Sequence, residues 1–251
     1  MLAEWFGRWK RSRSDARSRW MRDTYDVFRQ EKRREIFLAI AVYHYHNQPV
    51  DGYYMEFGCH SGRTMRLAWD AFHYLYDRSY IGFDSFEGLP PMRPDDQMPI
   101  WKPGGLATNE QEFRRRVLGH GIPPERLRTI KGWFEQSLTP ELARQLLPAR
   151  AAVLYVDCDL YASTVPVLRF ARPFLQRGTV LAFDDWFCFH GDPDRGQRRA
   201  FREFRQRHPE IRFEDFLETS EVKAFVVIDP GVEAAIDDGA LACAPELAQD
   251  T

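Results

Sequence analysis

The sequence is poor in the features that would classify it at once. Its four cysteines, Cys59, Cys158, Cys188 and Cys243, show no CxxC or other paired spacing. That pattern excludes a disulfide framework and a thiolate zinc site, and it fits a reducing cytoplasm. No apolar run reaches the ~20 residues that span a bilayer. Residues 1–38 carry charges throughout and hold no apolar stretch of the kind a secretory signal needs, so a cytoplasmic location is expected. The formal net charge is only −2, which leaves no cationic excess for wholesale nucleic-acid binding. Internal repeats, a GxGxxG fingerprint and a Gly-Lys-Ser/Thr phosphate loop are all missing.

What is present reads as a globular α/β chain. The 251 residues are 44% apolar, enough for one sizeable core. Ile36, Ile40 and Tyr43 recur at helical spacing and predict a helix over 23–45. Short apolar strands follow at 53–57, 80–83, 127–131, 152–156 and 179–183. Helical patterns separate them, at Met65–Leu75, 110–118, 141–147 and around Val165–Ala171, where Pro166 is expected in the first turn. A helix marked by Ala200, Phe201, Phe204 and His208 precedes strands near 212–215 and 222–228. Little separates those two strands, so an antiparallel hairpin is expected. Alternating strands and helices imply a doubly wound, mostly parallel sheet. The polar, proline- and glycine-rich segment 87–109 reads as a lid or substrate loop.

Three units are expected: an N-terminal helical segment over 1–46, a main domain over 47–230 and a flexible tail over 231–251. Arg8, Lys10, Arg11, Arg13, Arg17 and Arg19 crowd the first segment among Trp5, Phe6, Trp9 and Trp20. Such a face packs on the domain or a second subunit, or makes peripheral contact with a membrane. A homo-oligomer is therefore expected.

Two constellations carry the chemistry. The first is the turn after the first strand, Glu56-Phe57-Gly58-Cys59-His60-Ser61-Gly62. Gly58 and Gly62 allow a tight turn and close approach of a ligand, and the following helix start offers open N–H groups. An acid at Glu56 repels a pyrophosphate and suits a cationic ligand such as the methionyl part of S-adenosylmethionine. Asp84 ends the second strand, where an acid accepts ribose hydroxyls or caps a turn.

The second is a set of acids at the ends of neighbouring strands: Asp157 and Asp159 after the fourth, Asp184 and Asp185 after the fifth. Adjacent strands lie roughly 5 Å apart, so these carboxylates can converge on one cation. Oxygen donors favour Mg²⁺, with Mn²⁺ or Ca²⁺ as rivals. Asp159 is placed either on the ion or as a cap of the next helix. His190, shortly after Asp185, is the candidate general base.

These strings resemble a known family. Glu56-Phe57-Gly58, Asp84-Ser85-Phe86-Glu87-Gly88-Leu89-Pro90, Lys131-Gly132-Trp133-Phe134, Asp157-Cys158-Asp159-Leu160-Tyr161-Ala162-Ser163-Thr164 and Asp184-Asp185-Trp186 look like the macrocin O-methyltransferase (TylF/MycF) family. The likeness runs from about Tyr53 to Ile228. It implies a Rossmann-like class I methyltransferase fold with a seven-stranded sheet. It also implies S-adenosylmethionine as cofactor and a sugar or natural-product hydroxyl as acceptor. Glu56 and Gly58 would then border the methionyl part, Asp84 the ribose, and Gly132, Trp133 and Phe134 the adenine; His60, Ser61, Gly62 and Ser85 are further candidate cofactor contacts. Asp157, Asp184 and Asp185 would hold Mg²⁺; Asp157 is, with His190, a candidate catalytic residue. The basic N-terminal segment and the loop 92–105 match nothing in that likeness. A metal phosphohydrolase using the same acids and a non-enzymatic adenosine-ligand binder stay open as alternatives.

Overall fold

The computed structural model describes residues 15–47 and 49–231. The expected tail over 232–251 and the basic aromatic cluster over 5–13 lie outside the described residues. Arg17, Arg19 and Trp20 are within them, on a helical stretch over 15–20.

Seven strands form one sheet in the order β3-β2-β1-β4-β5-β7-β6. They are β1 (Tyr53–Phe57), β2 (Tyr80–Asp84), β3 (Leu127–Lys131), β4 (Ala151–Val156), β5 (Val180–Phe183), β6 (Arg212–Glu218) and β7 (Lys223–Asp229). The helices are α1 (Asp26–His46), α2 (Arg63–Phe72), α3 (Glu110–Gly119), α4 (Phe134–Ser137), α5 (Pro140–Leu146), α6 (Tyr161–Ala171) and α7 (Gly196–Arg207). Strands β1 to β5 pair in parallel, while β7 pairs antiparallel with both β5 and β6. The expected sheet and hairpin are both present. The hairpin is turned so that β7 is internal and β6 is the edge. Composition explains this: Ala224-Phe225-Val226-Val227 is a continuous buried run, whereas β6 mixes four charged residues with three apolar ones and is mostly exposed or half-buried.

Both sheet faces are covered. Met55, Phe57, Phe83, Leu154, Val156 and Phe183 point to one side, against Leu142 and Leu146 of α5, Phe170 of α6 and Phe201 of α7. Tyr54, Tyr80, Val153, Tyr155 and Ala182 point to the other, against Ile36, Phe37 and Ile40 of α1, Trp69 and Phe72 of α2 and Phe113 of α3. Full burial of one such aromatic, for example Phe37, contributes roughly 3 kcal/mol. A π-helical segment, Met21–Tyr25, leads into α1. Helix α6 starts at Tyr161, so Pro166 lies in its second turn and not in the first as expected. The one-turn helix α4 had no sequence signal.

The segment between β2 and α3 has its own small core. Leu89 and Trp101 pack on Leu160 and Phe189, with Met92 and Met98 beside them. Asp96 pins this segment to the sheet edge. Its buried carboxylate accepts from the backbone N–H of Tyr161 (2.7 Å) and Ala162 (3.1 Å). The α6 start is thus capped from 65 residues upstream and not by Asp159, which instead turns the chain at φ 60°.

Candidate active site

The carboxyl ends of β1 to β5 open into a cavity of about 870 Å³. Its floor on one side is the turn after β1. Gly58, at φ 88°, passes so close to β4 that a Cβ there would lie 1.9 Å from the Asp157 carbonyl oxygen. Only glycine fits. Gly58, His60 and Ser61 line the cavity. Gly62 does not: it is buried as the N-cap of α2, and its open side faces Val117 and Phe113 of α3. Its expected ligand contact is therefore replaced by helix packing.

Glu56 is also displaced from its expected place. It is fully buried behind the turn and takes a hydrogen bond from the Tyr54 hydroxyl, while its Oε1 has no partner. Burial pushes its pKa up to about 8, so it is mostly protonated at neutral pH. The side chain points to the α1 face of the sheet because Tyr54 and Glu56 share the strand's period of two.

Asp84 lines the cavity and organises its surroundings. Oδ2 accepts from the N–H groups of Cys59 (2.7 Å) and His60 (3.0 Å), and Oδ1 accepts from Phe86 N–H (2.7 Å). A carboxylate has about four acceptor positions, so about one stays open toward a ligand. Ser85 lines the wall beside it and closes the next turn by donating to Gly88 O (3.0 Å). Gly132, Trp133 and Phe134 follow β3 and form the adjoining wall, with Phe134 edge-on to Phe57. The His60 ring meets Thr108 Oγ1 at 2.8 Å and ties this half to the end of the 87–109 segment.

The other half holds the acids. Asp157, Asp184 and Asp185 each place a carboxylate oxygen within 4.8 Å of the others. Asp185 is held by α7: Gln197 accepts from Asp185 N–H (3.0 Å) and donates to Asp185 Oδ2 (3.4 Å) and Val156 O (3.1 Å). Asp184 is fully enclosed. Tyr155 donates to it, Arg33 Nε lies 2.8 Å from Oδ1, and Arg29 lies 3.1 Å from Oδ2, where the Arg33 terminal nitrogen also donates. Arg29 continues to Glu221 at 2.7 Å. The charges divide accordingly. Burial raises the Asp184 pKa, but Arg33 and Arg29 outweigh it and hold it down to about 2. Asp157, Asp159 and Asp185 are pushed well up, first by burial and then by one another and Asp184.

With this arrangement described, likeness to known proteins can be stated. A family model for macrocin O-methyltransferase matches residues 10–214. The chain belongs to the macrocin O-methyltransferase family. Mycinamicin III 3''-O-methyltransferase of Micromonospora griseorubida is 30% identical to it over 162 residues, 60% of this chain and 56% of that protein. The 8-demethyl-8-(2,3-dimethoxy-alpha-L-rhamnosyl)-tetracenomycin-C 4'-O-methyltransferase of Streptomyces olivaceus is 30% identical over 131 residues, 50% and 44% of the two chains. The matched stretches span about half the length of these relatives. The solved structure of the O-methyltransferase NovP is similar at 25% identity and a TM-score of 0.60, covering 78% of this chain and 79% of that one.

Within this family member, the residues unseen at sequence level are those acting on the acids from afar, Arg29, Arg33 and Gln197, and the α6 cap Asp96. A signal existed for Arg33. It shares the helical face of Ile36, Phe37, Ile40 and His44, and an arginine on a buried stripe requires a buried acid. Met21 and Tyr25 also line the cavity, as do Met98, Ile100, Trp101 and Leu106 of the 87–109 segment. His190 is on the same wall, at φ 60° in the short turn after β5. Among the described residues no helix is long and apolar enough to cross a membrane.

Proposed function

We propose that this chain transfers a methyl group from S-adenosylmethionine to a hydroxyl of a sugar or glycosylated natural product, assisted by Mg²⁺ or Mn²⁺. The observation that carries this reading is the shared cavity. The β1 turn, Asp84 and Gly132–Phe134 line one half of it, and a convergent acid cluster lines the other. Family membership supplies the reaction class. The tetracenomycin relative carries a rhamnosyl group in its acceptor's name, which supports a glycoside acceptor here.

In this reading Gly58, His60 and Ser61 form the surface on which the methionyl part lies. The open acceptor position of Asp84 takes a ribose hydroxyl. Trp133 and Phe134 bound the adenine, and Ser85 shapes the ribose wall. Glu56 acts only through the shape of the turn above it. The acceptor enters over the Met98, Trp101 and Leu106 wall, where apolar contacts suit an aglycone. The main contribution of the protein is in-line alignment, because the sulfonium already activates the methyl group. A carbon–oxygen bond forms as the carbon–sulfur bond breaks, S-adenosylhomocysteine departs, and the hydroxyl proton leaves to a base. His190 on the cavity wall is the candidate for that base.

The acids fit a divalent ion. Their donors are all oxygen, and Asp157 and Asp185 face a site short of positive charge. When bound, such an ion lowers the pKa of a ligated acceptor hydroxyl. Asp157 stands nearest this role as both ligand and reacting-centre residue.

Calorimetry with S-adenosylmethionine, followed by labelled-methyl transfer to a panel of glycosides with Mg²⁺ or with chelator, tests the proposal. Binding and metal-stimulated transfer are expected. Absence of binding sinks it. Binding without any transfer favours a non-catalytic adenosine-ligand protein, and phosphate-ester hydrolysis without methyl transfer favours the phosphohydrolase.

A further inference from the structure

Segment 89–105 is a loop closed on itself. Leu89 N–H donates to Gly105 O (2.9 Å) and Gly104 N–H donates to Leu89 O (2.8 Å), so its two ends pair through backbone. Gly88, at φ 91°, passes so close to this base that a Cβ there would lie 2.5 Å from Gly105 O. The base is set by backbone alone, and the far end of such a loop depends on side chains. Here those side chains come from outside the loop. Arg195, at the N-cap of α7, donates to Asp95 O through Nη2 (2.8 Å) and Nε (3.3 Å), and Nη2 also reaches Gln97 O at 3.5 Å. The same guanidinium stands 4.2 Å from the centre of the Phe189 ring, and Phe189 meets Trp101 edge-on at 5.4 Å. One planar cation thus grips the tip of the loop and the ring on which the loop's tryptophan rests.

Between the gripped tip and the base lie Met98, Ile100 and Trp101, which line the cavity together with Leu106 just past the base. Ile100 and Leu106 are left 70% and 51% exposed there, a surface that suits an apolar aglycone. Arg195 stands outside the cavity lining and acts on this wall from behind. Two residues further on, Gln197 accepts from Asp185 N–H at 3.0 Å. The acceptor wall and the floor of the site are therefore held by the same end of α7.

We propose that Arg195 is a positioning residue that latches the tip of segment 89–105 and thereby sets the room left for the aglycone of the acceptor. The effect on the acceptor rests on the proposed methyl transfer; the latch itself does not.

The test compares the full chain with Arg195→Met, which keeps an unbranched apolar stem and loses every donor. Hydrogen exchange followed by mass spectrometry reads the loop with no acceptor present. Exchange over 95–101 should quicken at least ~5-fold while β4 and β5 exchange as before. Unchanged exchange over 95–101 overturns the latch. Equal quickening in β4 and β5 also overturns it, because the loss is then one of general stability. Methyl transfer is measured with nitrophenyl α-L-rhamnoside and with methyl α-L-rhamnoside. The KM for the aryl glycoside should rise at least ~5-fold, with kcat and the KM for S-adenosylmethionine within about twofold of the wild type. The KM for the methyl glycoside, which has no aglycone to seat, should also stay within about twofold. An equal rise for both glycosides, or a fall in kcat with KM unchanged, overturns the aglycone assignment. A wild-type chain that methylates neither glycoside refutes the acceptor half, while the exchange comparison still decides the latch.

Discussion

The two halves of the cavity are built by different means. The half at the ends of β1, β2 and β3 is made of backbone: three N–H groups converge on Asp84, and glycines let strands and turns touch. The half at the ends of β4 and β5 is made of side-chain charge, with three clustered acids, two of which meet guanidiniums carried on α1. Backbone construction gives a rigid seat whose shape is set locally. Charge construction gives a site whose state depends on a distant helix and on any ion that enters. A cofactor common to many enzymes suits the first, and an acceptor particular to one enzyme suits the second.

The sharpest way to break this contrast is Gly58→Ala. A Cβ would strike the Asp157 carbonyl at 1.9 Å, at a φ of 88° that alanine resists. Loss of about 3 kcal/mol or more is expected in denaturant unfolding, and it should disrupt both halves because Gly58 is where they touch. A milder loss would mean that the seat is less rigid than described.

Asp84→Ala should separate the halves. Removing the acceptor of three amides and of the proposed ribose contact is expected to weaken S-adenosylmethionine by about 2–3 kcal/mol, roughly 30- to 150-fold, in calorimetry. Mn²⁺ affinity should stay as it was. A parallel loss of Mn²⁺ would show that the halves are one electrostatic unit.

The far end of α1 offers a control on the helix without touching the acids. His44 is fully buried, its Nε2 facing Gly178 O at 3.0 Å and its Nδ1 accepting from Arg78 at 2.8 Å. The Arg78 contact needs the neutral ring, whereas Nε2–H donates to Gly178 O in either state. Burial first, and Arg78 next, push its pKa down to about 4. Because the folded value lies below the ordinary ~6.5, its contribution is complete above pH ~6.5 and is lost as pH falls toward 4. Urea unfolding at pH 7 and pH 4.5 should show a smaller acid-induced loss in His44→Gln than in the wild type. Equal losses would place the acid sensitivity elsewhere, in the carboxylates.

The smallest effect is expected of Asp96→Ala. Loss of the cap on α6 should cost about 1 kcal/mol in stability. Because Asp96 holds the segment that carries Trp101 and Leu106, the acceptor KM should rise while S-adenosylmethionine affinity holds. A change confined to stability would remove that segment from the acceptor wall.

Much of this protein was legible in one dimension, for a definable reason. The unbroken runs at β4 and β5, the helical spacing along α1 and α2, and the glycine turn after β1 are local patterns, and local patterns follow from strand and helix periodicity. The acids at the strand ends were legible because parallel strands carry their carboxyl ends to one edge. Glu56 and Gly62 lie off the cavity lining, which a motif does not reveal because it names residues without their direction. Strand parity turns Glu56 away from the cavity, and the packing of α3 claims Gly62. The position of β7 inside the sheet, the cap supplied by Asp96 and the arginines on Asp184 belong to tertiary structure alone. Each joins residues about 40 to 155 positions apart, and no local propensity encodes which buried charge meets which. The sequence by itself determined a seat for a cofactor and a row of acids beside it. Only the fold decided which of those acids is spoken for, because an ionised acid buried like Asp184 requires donors and α1 brings them.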